Sequence, residues 1–123
     1  MVKIAIIEDD ATISQMYRMK FEADGSDVRL ASNGTIGVAL VESFRPDVIL
    51  LDIQMPEMDG AEALRRIRSH AWGKTIPVIV LTNLGEEEAP REMRSLGIQG
   101  YIVKANLTPR QVVAQVKSVI TKP

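Results

Sequence analysis

Five short apolar runs recur along this chain, at positions 2–7, 28–31, 48–51, 76–81 and 98–103. They are rich in Ile and Val and lack the polar alternation of a half-exposed strand, so they read as strands covered on both faces. Few arrangements satisfy that demand. Between the runs lie segments of helical periodicity: Ile13, Met16, Tyr17 and Phe21 share one face, as do Ile36, Ala39, Leu40 and Phe44. Val112, Val113, Val116, Val119 and Ile120 form the clearest stripe. Strands alternating with helices at this spacing imply right-handed crossovers and a parallel sheet with helices on both sides. The expected fold is α/β, a doubly wound five-stranded parallel sheet.

The punctuation agrees with this division. Thr108-Pro109-Arg110-Gln111 reads as an N-cap, a proline at the first helical position and a Gln completing a capping box. Asp59-Gly60-Ala61-Glu62 has the same shape, with Asp59 as the cap. Gly25 and Gly97 each follow a periodic segment, where a helix-ending glycine belongs. No repeat, low-complexity tract or linker interrupts the pattern, and 123 residues fit one domain spanning 1–123.

Bulk properties remove several function classes. A formal net charge of −1 argues against a nucleic-acid-binding surface, which needs a Lys/Arg excess. No stretch approaches the roughly 20 apolar residues that cross a bilayer, and Met1-Val2-Lys3 lacks the layout of a secretory signal. Without cysteine there are no disulfides, thiolate metal sites or cysteine nucleophiles. A cytoplasmic location is the default expectation.

The ends of the runs carry the chemistry. Glu8-Asp9-Asp10 follows the first, Asp52 the third, Thr82 the fourth and Lys104 the fifth. In open parallel sheets ligands bind at the carboxyl ends of the strands, where the strand order reverses. With the order 2-1-3-4-5, strands 1 and 3 are neighbours at that point. Packed carboxylates repel one another unless a cation intervenes. An oxygen-only donor set without His or Cys favours a hard ion such as Mg²⁺. A lysine at the same edge makes sense if an anionic group sits between ammonium and metal. A phosphoryl group fits, with Asp52 as the nucleophile that accepts it as an acyl phosphate.

Glu8-Asp9-Asp10, the stretch from Leu51-Asp52 through Gln54-Met55-Pro56 to Asp59-Gly60, Thr82 and Lys104 occur in this order at the ends of the right strands. On these residues the chain, from Lys3 to about Ile120, resembles the receiver domain of two-component response regulators, of the stand-alone chemotaxis type. The resemblance implies a flavodoxin-like (βα)5 fold and a Mg²⁺-dependent switch. Asp52 would accept a phosphoryl group from a histidine kinase or phosphotransfer protein. Asp9, Asp52 and the Gln54 backbone carbonyl would bind Mg²⁺, with Glu8 acting through water and Lys104 contacting the phosphoryl oxygens. Thr82 and Tyr101 would be the switch residues, passing the change to the face of helix 4, strand 5 and helix 5. A downstream output protein or domain would read that face, and a phosphorylation-dependent dimer is left open. The domain would be a signalling device rather than an enzyme and would contact neither nucleic acid nor membrane.

Two positions depart from the receiver pattern. Ala105 stands where receivers commonly carry proline after the lysine, and it implies a trans peptide there. Leu84 and Gln54 occupy the two positions that tune acyl phosphate hydrolysis in this family, and an apolar Leu84 cannot orient water. Slow self-dephosphorylation is expected. Other residues read as structural: Asp10 as the cap of helix 1, His70 as a surface residue, and Arg65, Arg66 and Arg68 as an exposed helix face. Glu86-Glu87-Glu88 would open helix 4, where acids suit the dipole. The main alternative is the amino-terminal receiver of a larger DNA-binding transcription regulator. A flavodoxin-like cofactor binder would need an anion loop after strand 1, where Glu8-Asp9-Asp10 would repel phosphate. No Gly-x-x-x-x-Gly-Lys stretch supports a nucleotide hydrolase.

Overall fold

In the computed structural model, which describes residues 1–120, the five runs become β1 (Lys3–Ile7), β2 (Asp27–Ala31), β3 (Val48–Leu51), β4 (Val78–Thr82) and β5 (Gly100–Val103). The last three residues of the expected 1–123 domain lie outside the described residues. All strand pairs are parallel, in the order β2-β1-β3-β4-β5. The absence of alternation has its cause here. Every residue of β3 and β4 is buried, because helices cover both faces of the sheet.

The helices are α1 (Ala11–Ala23), α2 (Gly34–Phe44), α3 (Gly60–Arg68), α4 (Glu92–Leu96) and α5 (Pro109–Ile120). One core lies between the sheet and α1 and α5, where Tyr17, Phe21, Val112 and Val116 meet Ile4, Ile6, Leu50 and Ile79. The other joins α2, α3 and α4 to the opposite face through Val41, Leu64, Ile67 and Met93 against Ile7, Ile49, Leu51 and Val80. Each fully buried Ile or Leu contributes about 1.5–3 kcal/mol. These two layers set the strands' positions and therefore the positions of the groups at their ends.

The caps form as their spacing predicts. Asp10, Asn33 and Asp59 accept from the backbone N–H three residues on. Thr108 and Gln111 exchange both capping-box hydrogen bonds, at 2.8 and 3.2 Å. Gly25 and Gly97 have φ of 91° and 89°, a backbone region that side chains disfavour. No cis peptide occurs among the described residues, as Ala105 implies.

Four expectations need correction. Helix α2 buries Gly34, Gly37, Val41 and Phe44, whereas Ile36 is exposed. This helix is apolar nearly all round, so periodicity alone could not fix its inward face. Glu86-Glu87-Glu88 does not open α4: it forms a separate 3-10 turn, and α4 begins at Glu92, past Pro90. Strands β4 and β5 begin two residues later than the apolar runs they come from. Finally, Arg68 leaves the exposed basic face of α3. Its guanidinium is half-buried and bonded to four backbone carbonyls.

Candidate functional site

Register brings the acids together. Ile7 pairs with Leu51, so β1 and β3 end level and release Glu8 and Asp52 side by side. Their backbones continue the ladder by one bond each, Glu8 N–H to the Ala31 carbonyl at 2.9 Å and Asp52 N–H to the Ile7 carbonyl at 3.0 Å. The side chains are therefore aimed by the sheet rather than by a free loop. Glu8 and Asp52 are 5% and 6% exposed, while Asp9 lies open at the rim. Carboxylate oxygens of Glu8, Asp9 and Asp52 all lie within 4.8 Å of one another.

The turn after β3 is packed onto Asp52. Gln54 N–H donates to Asp52 Oδ1 at 3.1 Å, and Gly60 N–H closes the loop on the Ile53 carbonyl at 2.9 Å. A Cβ at Gly60 would come within 2.3 Å of the Asp52 carbonyl oxygen, so the approach of α3 to this strand end requires glycine. On the other side Lys104, the first residue past β5, brings its ammonium to Glu8 Oε1 and to Asp52 Oδ2, the latter at 3.5 Å. Glu8 Oε2 accepts the Asp10 N–H at 3.0 Å.

Burial pushes the Glu8 carboxyl up to about 7. The Lys104 ammonium and the Asp10 amide oppose that rise, and the Asp52 charge adds to it. Burial alone would lower the Lys104 ammonium, but the facing Glu8 and Asp52 carboxylates raise it overall. The two shifts are in tension, because a neutral Glu8 would loosen its hold on the Lys104 proton. The N–H donor on each of its oxygens supports the Glu8 anion, but burial outweighs that support and keeps the carboxyl at about 7. Three carboxylates thus face one ammonium. That donor set, all oxygen with charge to spare, fits a hard divalent cation.

Thr82 ends β4 fully buried, and its Oγ1 accepts the Leu84 N–H at 3.4 Å. Tyr101 of β5 donates its hydroxyl to the carbonyls of Leu84 and Gly85, at 2.8 and 3.3 Å. Burial and then the charges of Glu86, Glu88 and Glu87 raise its phenol. Glu8, Asp9, Asp52 and Lys104 therefore meet at one point. Thr82 and Tyr101 are joined through the Leu84 backbone beside it. His70 is exposed as expected, stacked on Trp72 at 4.8 Å. The sequence reading missed Arg68, whose spacing among Arg65 and Arg66 gives no sign of its carbonyl partners. It also missed the close packing of Gly60, which the Asp-Gly pair at a helix start could have suggested.

Comparison with known proteins places this arrangement. The profile described as "Response regulator receiver domain" matches residues 4–117. ResD of Bacillus subtilis, a transcriptional regulatory protein, is 37% identical over 120 residues, which are 98% of this chain and 48% of that protein. The regulatory protein AtoC of Escherichia coli is 36% identical over 102 residues, 83% of this chain and 22% of its own length. This chain spans about half the length of ResD and less of AtoC. Among solved structures, chemotaxis protein CheY4 of Vibrio cholerae superposes with a TM-score of 0.88 at 28% identity, covering 97% of this chain and 98% of that one. With the acid pocket, the 2-1-3-4-5 sheet and a matching profile over 4–117, the chain belongs to the response regulator receiver domain family.

Proposed function

We propose that this domain is a phosphorylation switch in which Asp52 is the phosphoacceptor. The observation that carries the reading is the setting of the Asp52 carboxylate. It is buried at a strand end, oriented by the Gln54 amide, faced by Lys104, and grouped with two further acids. In the reaction a carboxylate oxygen of Asp52 attacks phosphorus, the bond from phosphorus to the donor's histidine nitrogen breaks, and that nitrogen leaves with its electron pair. Lys104 would neutralise phosphoryl oxygens and hold them in line. Asp9, Asp52 and the Gln54 carbonyl would hold Mg²⁺, with Glu8 reaching it through water. The ion would supply charge neutralisation at the phosphoryl oxygens.

Phosphoryl transfer converts one Asp52 oxygen into a dianionic group beside Thr82. The Thr82 hydroxyl would turn from the Leu84 amide to that group, and Tyr101, already tied to Leu84 and Gly85, would follow the loop. This is a population shift biased by contacts to the added charge, read out on α4, β5 and α5. The partners this reading implies are a histidine kinase or phosphotransfer protein upstream and an output protein or domain downstream. The cytoplasm is the compartment it implies, and no described helix is long and apolar enough to cross a membrane.

Incubation with Mg²⁺ and acetyl phosphate, followed by intact-mass measurement, tests the assignment. Wild type should gain the mass of one phosphoryl group, and Asp52→Asn none. An undiminished gain in Asp52→Asn, or none in wild type, overturns it. A second reading has its own support, since the matching region makes up 48% of ResD, a transcriptional regulatory protein. Under that reading the domain is the amino-terminal receiver of a longer DNA-binding regulator. The length of the coding sequence decides between the two.

A further inference from the structure

The two ends of α4 are held by different means. At its C-terminal end, Arg68 Nε and Nη2 donate to the carbonyls of Leu96 and Gly97, both at 2.9 Å. Its Nη1 donates to Gly73 and Ile76, at 2.6 and 2.8 Å. One rigid guanidinium thus ties the end of α3 to the end of α4 and to the segment leading into β4. Arg68 has no carboxylate partner among the described residues. Burial disfavours its charge, and four backbone carbonyls, two of them at the C-terminal end of α4, offset that cost. Just beyond, Gln99 adds a second tie: its N–H reaches the Val78 carbonyl at 2.8 Å and its Oε1 accepts the Val78 N–H at 2.7 Å.

The other end of α4 has weaker attachments. No side chain caps its N-terminus, Pro90 interrupts the backbone ahead of it, and Met93 is its only buried residue. Its ion pairs, Arg65–Glu92 and Arg94–Glu86, join side chains that are 43–69% exposed, and pairs of that kind contribute little.

We propose that Arg68 is the anchor of the output segment. It fixes the C-terminal end of α4 and the entry to β5, so that after phosphorylation the backbone hydrogen bonds change only in residues 83–92, while α4 tilts as a body about Leu96. Arg68 acts as a positioning residue, remote from the phosphoryl group, and the proposal rests on the reading of Asp52 as phosphoacceptor. An anchored far end gives the loop a fixed point to move against. The same small displacement at Thr82 then becomes a tilt of α4 rather than a general loosening.

Amide hydrogen exchange tests this, on wild type and Arg68→Lys with and without Mg²⁺ and acetyl phosphate, with intact mass recorded in parallel. A lysine keeps the charge but cannot reach four carbonyls in a planar fork. In wild type, phosphorylation should change exchange in residues 83–92 and leave 93–100 unchanged. In unphosphorylated Arg68→Lys, 93–100 should exchange about tenfold faster than in wild type. Its phosphoryl mass gain should persist, and the phosphorylation effect should spread into 93–100. A wild-type response that extends equally through 93–100, or exchange there that Arg68→Lys leaves unaltered, overturns the anchor. The unphosphorylated comparison decides it even where no phosphoryl group is taken up, and a missing mass gain counts against Asp52 alone. If Arg68→Lys loses its helical circular dichroism, the wild-type profile decides.

Discussion

At the ends of β1 and β3 the two buried carboxylates, Glu8 and Asp52, are each held by more than one neighbour. Glu8 meets Lys104 and the Asp10 amide, Asp52 meets Lys104 and the Gln54 amide, and Gly60 packs against the Asp52 carbonyl. The connection from β4 to β5 is made otherwise. It is a 3-10 turn of three exposed acids, then Pro90, then a helix of five residues held by exposed ion pairs. Catalytic geometry needs groups fixed before the substrate arrives, because reorganisation costs rate. A signalling element needs the reverse, two arrangements separated by a few kcal/mol. The sheet's carboxyl edge provides both: a rigid region lies under Asp52, and an adjustable one follows β4.

The firmest test of the rigid side uses Glu8, whose burial is also its weakness. The folded protein holds the Glu8 proton up to about pH 7, whereas the unfolded chain releases it near its ordinary value of 4.5. Glu8 therefore adds most to stability below about pH 4.5, and that contribution is lost as pH rises through 7. In chelator, the stability of wild type minus that of Glu8→Gln should move in favour of wild type as pH falls from 8 to 5. The change should be on the order of 2 kcal/mol. Urea midpoints across that range measure it. A difference that stays flat with pH would mean that Lys104 fully compensates the burial, and the acid pocket would be less strained than its geometry indicates.

Addition of a polar group where the movable side now offers none should have a smaller effect. Leu84 is half-buried and packs against the α2–α3–α4 core, so it places only apolar surface beside the site. Leu84→Glu keeps the backbone bonds to Thr82 and Tyr101 and adds a carboxylate able to orient water. The acyl phosphate should then hydrolyse about tenfold faster, a modest general-base effect. Loss of the phosphoryl mass with time, after removal of acetyl phosphate, reports the rate. If Leu84→Glu decays no faster than wild type, access of water to Asp52 is controlled elsewhere, and the division between the two regions is less sharp.

What the sequence made legible follows the same line. The strands, the caps and the acid cluster could be read because each depends on local chemistry: unbroken apolar runs, an oxygen three residues before an amide, acids where strands stop. The α4 region could not. Glu86-Glu87-Glu88 has the composition of a helix start, yet Pro90 and the packing of Met93 move the start to Glu92. Ile36 and Val41 have similar side chains, and only the neighbouring strand decides which one faces inward. Arg68 looks like Arg65 and Arg66 in sequence. It differs because the C-terminal end of α4 and the approach to β4 converge on it, a fact of long-range packing.

The smallest expected effect probes the joint between the two regions. Tyr101→Phe removes the hydroxyl that reaches Leu84 and Gly85 but keeps the ring in place. Both acceptors are carbonyls of a half-exposed loop to which water has access, so the lost bond should cost about 1 kcal/mol or less. Because the Tyr101 hydroxyl bonds to the Leu84 and Gly85 carbonyls and to neither Asp52 nor Lys104, phosphoryl uptake from acetyl phosphate should keep its wild-type rate. The change should appear instead as faster amide exchange in residues 83–88, without change in β1 or β3. A slowed uptake in Tyr101→Phe would show that the loop position reaches back to the acid pocket. The rigid and movable regions would then act as a single unit.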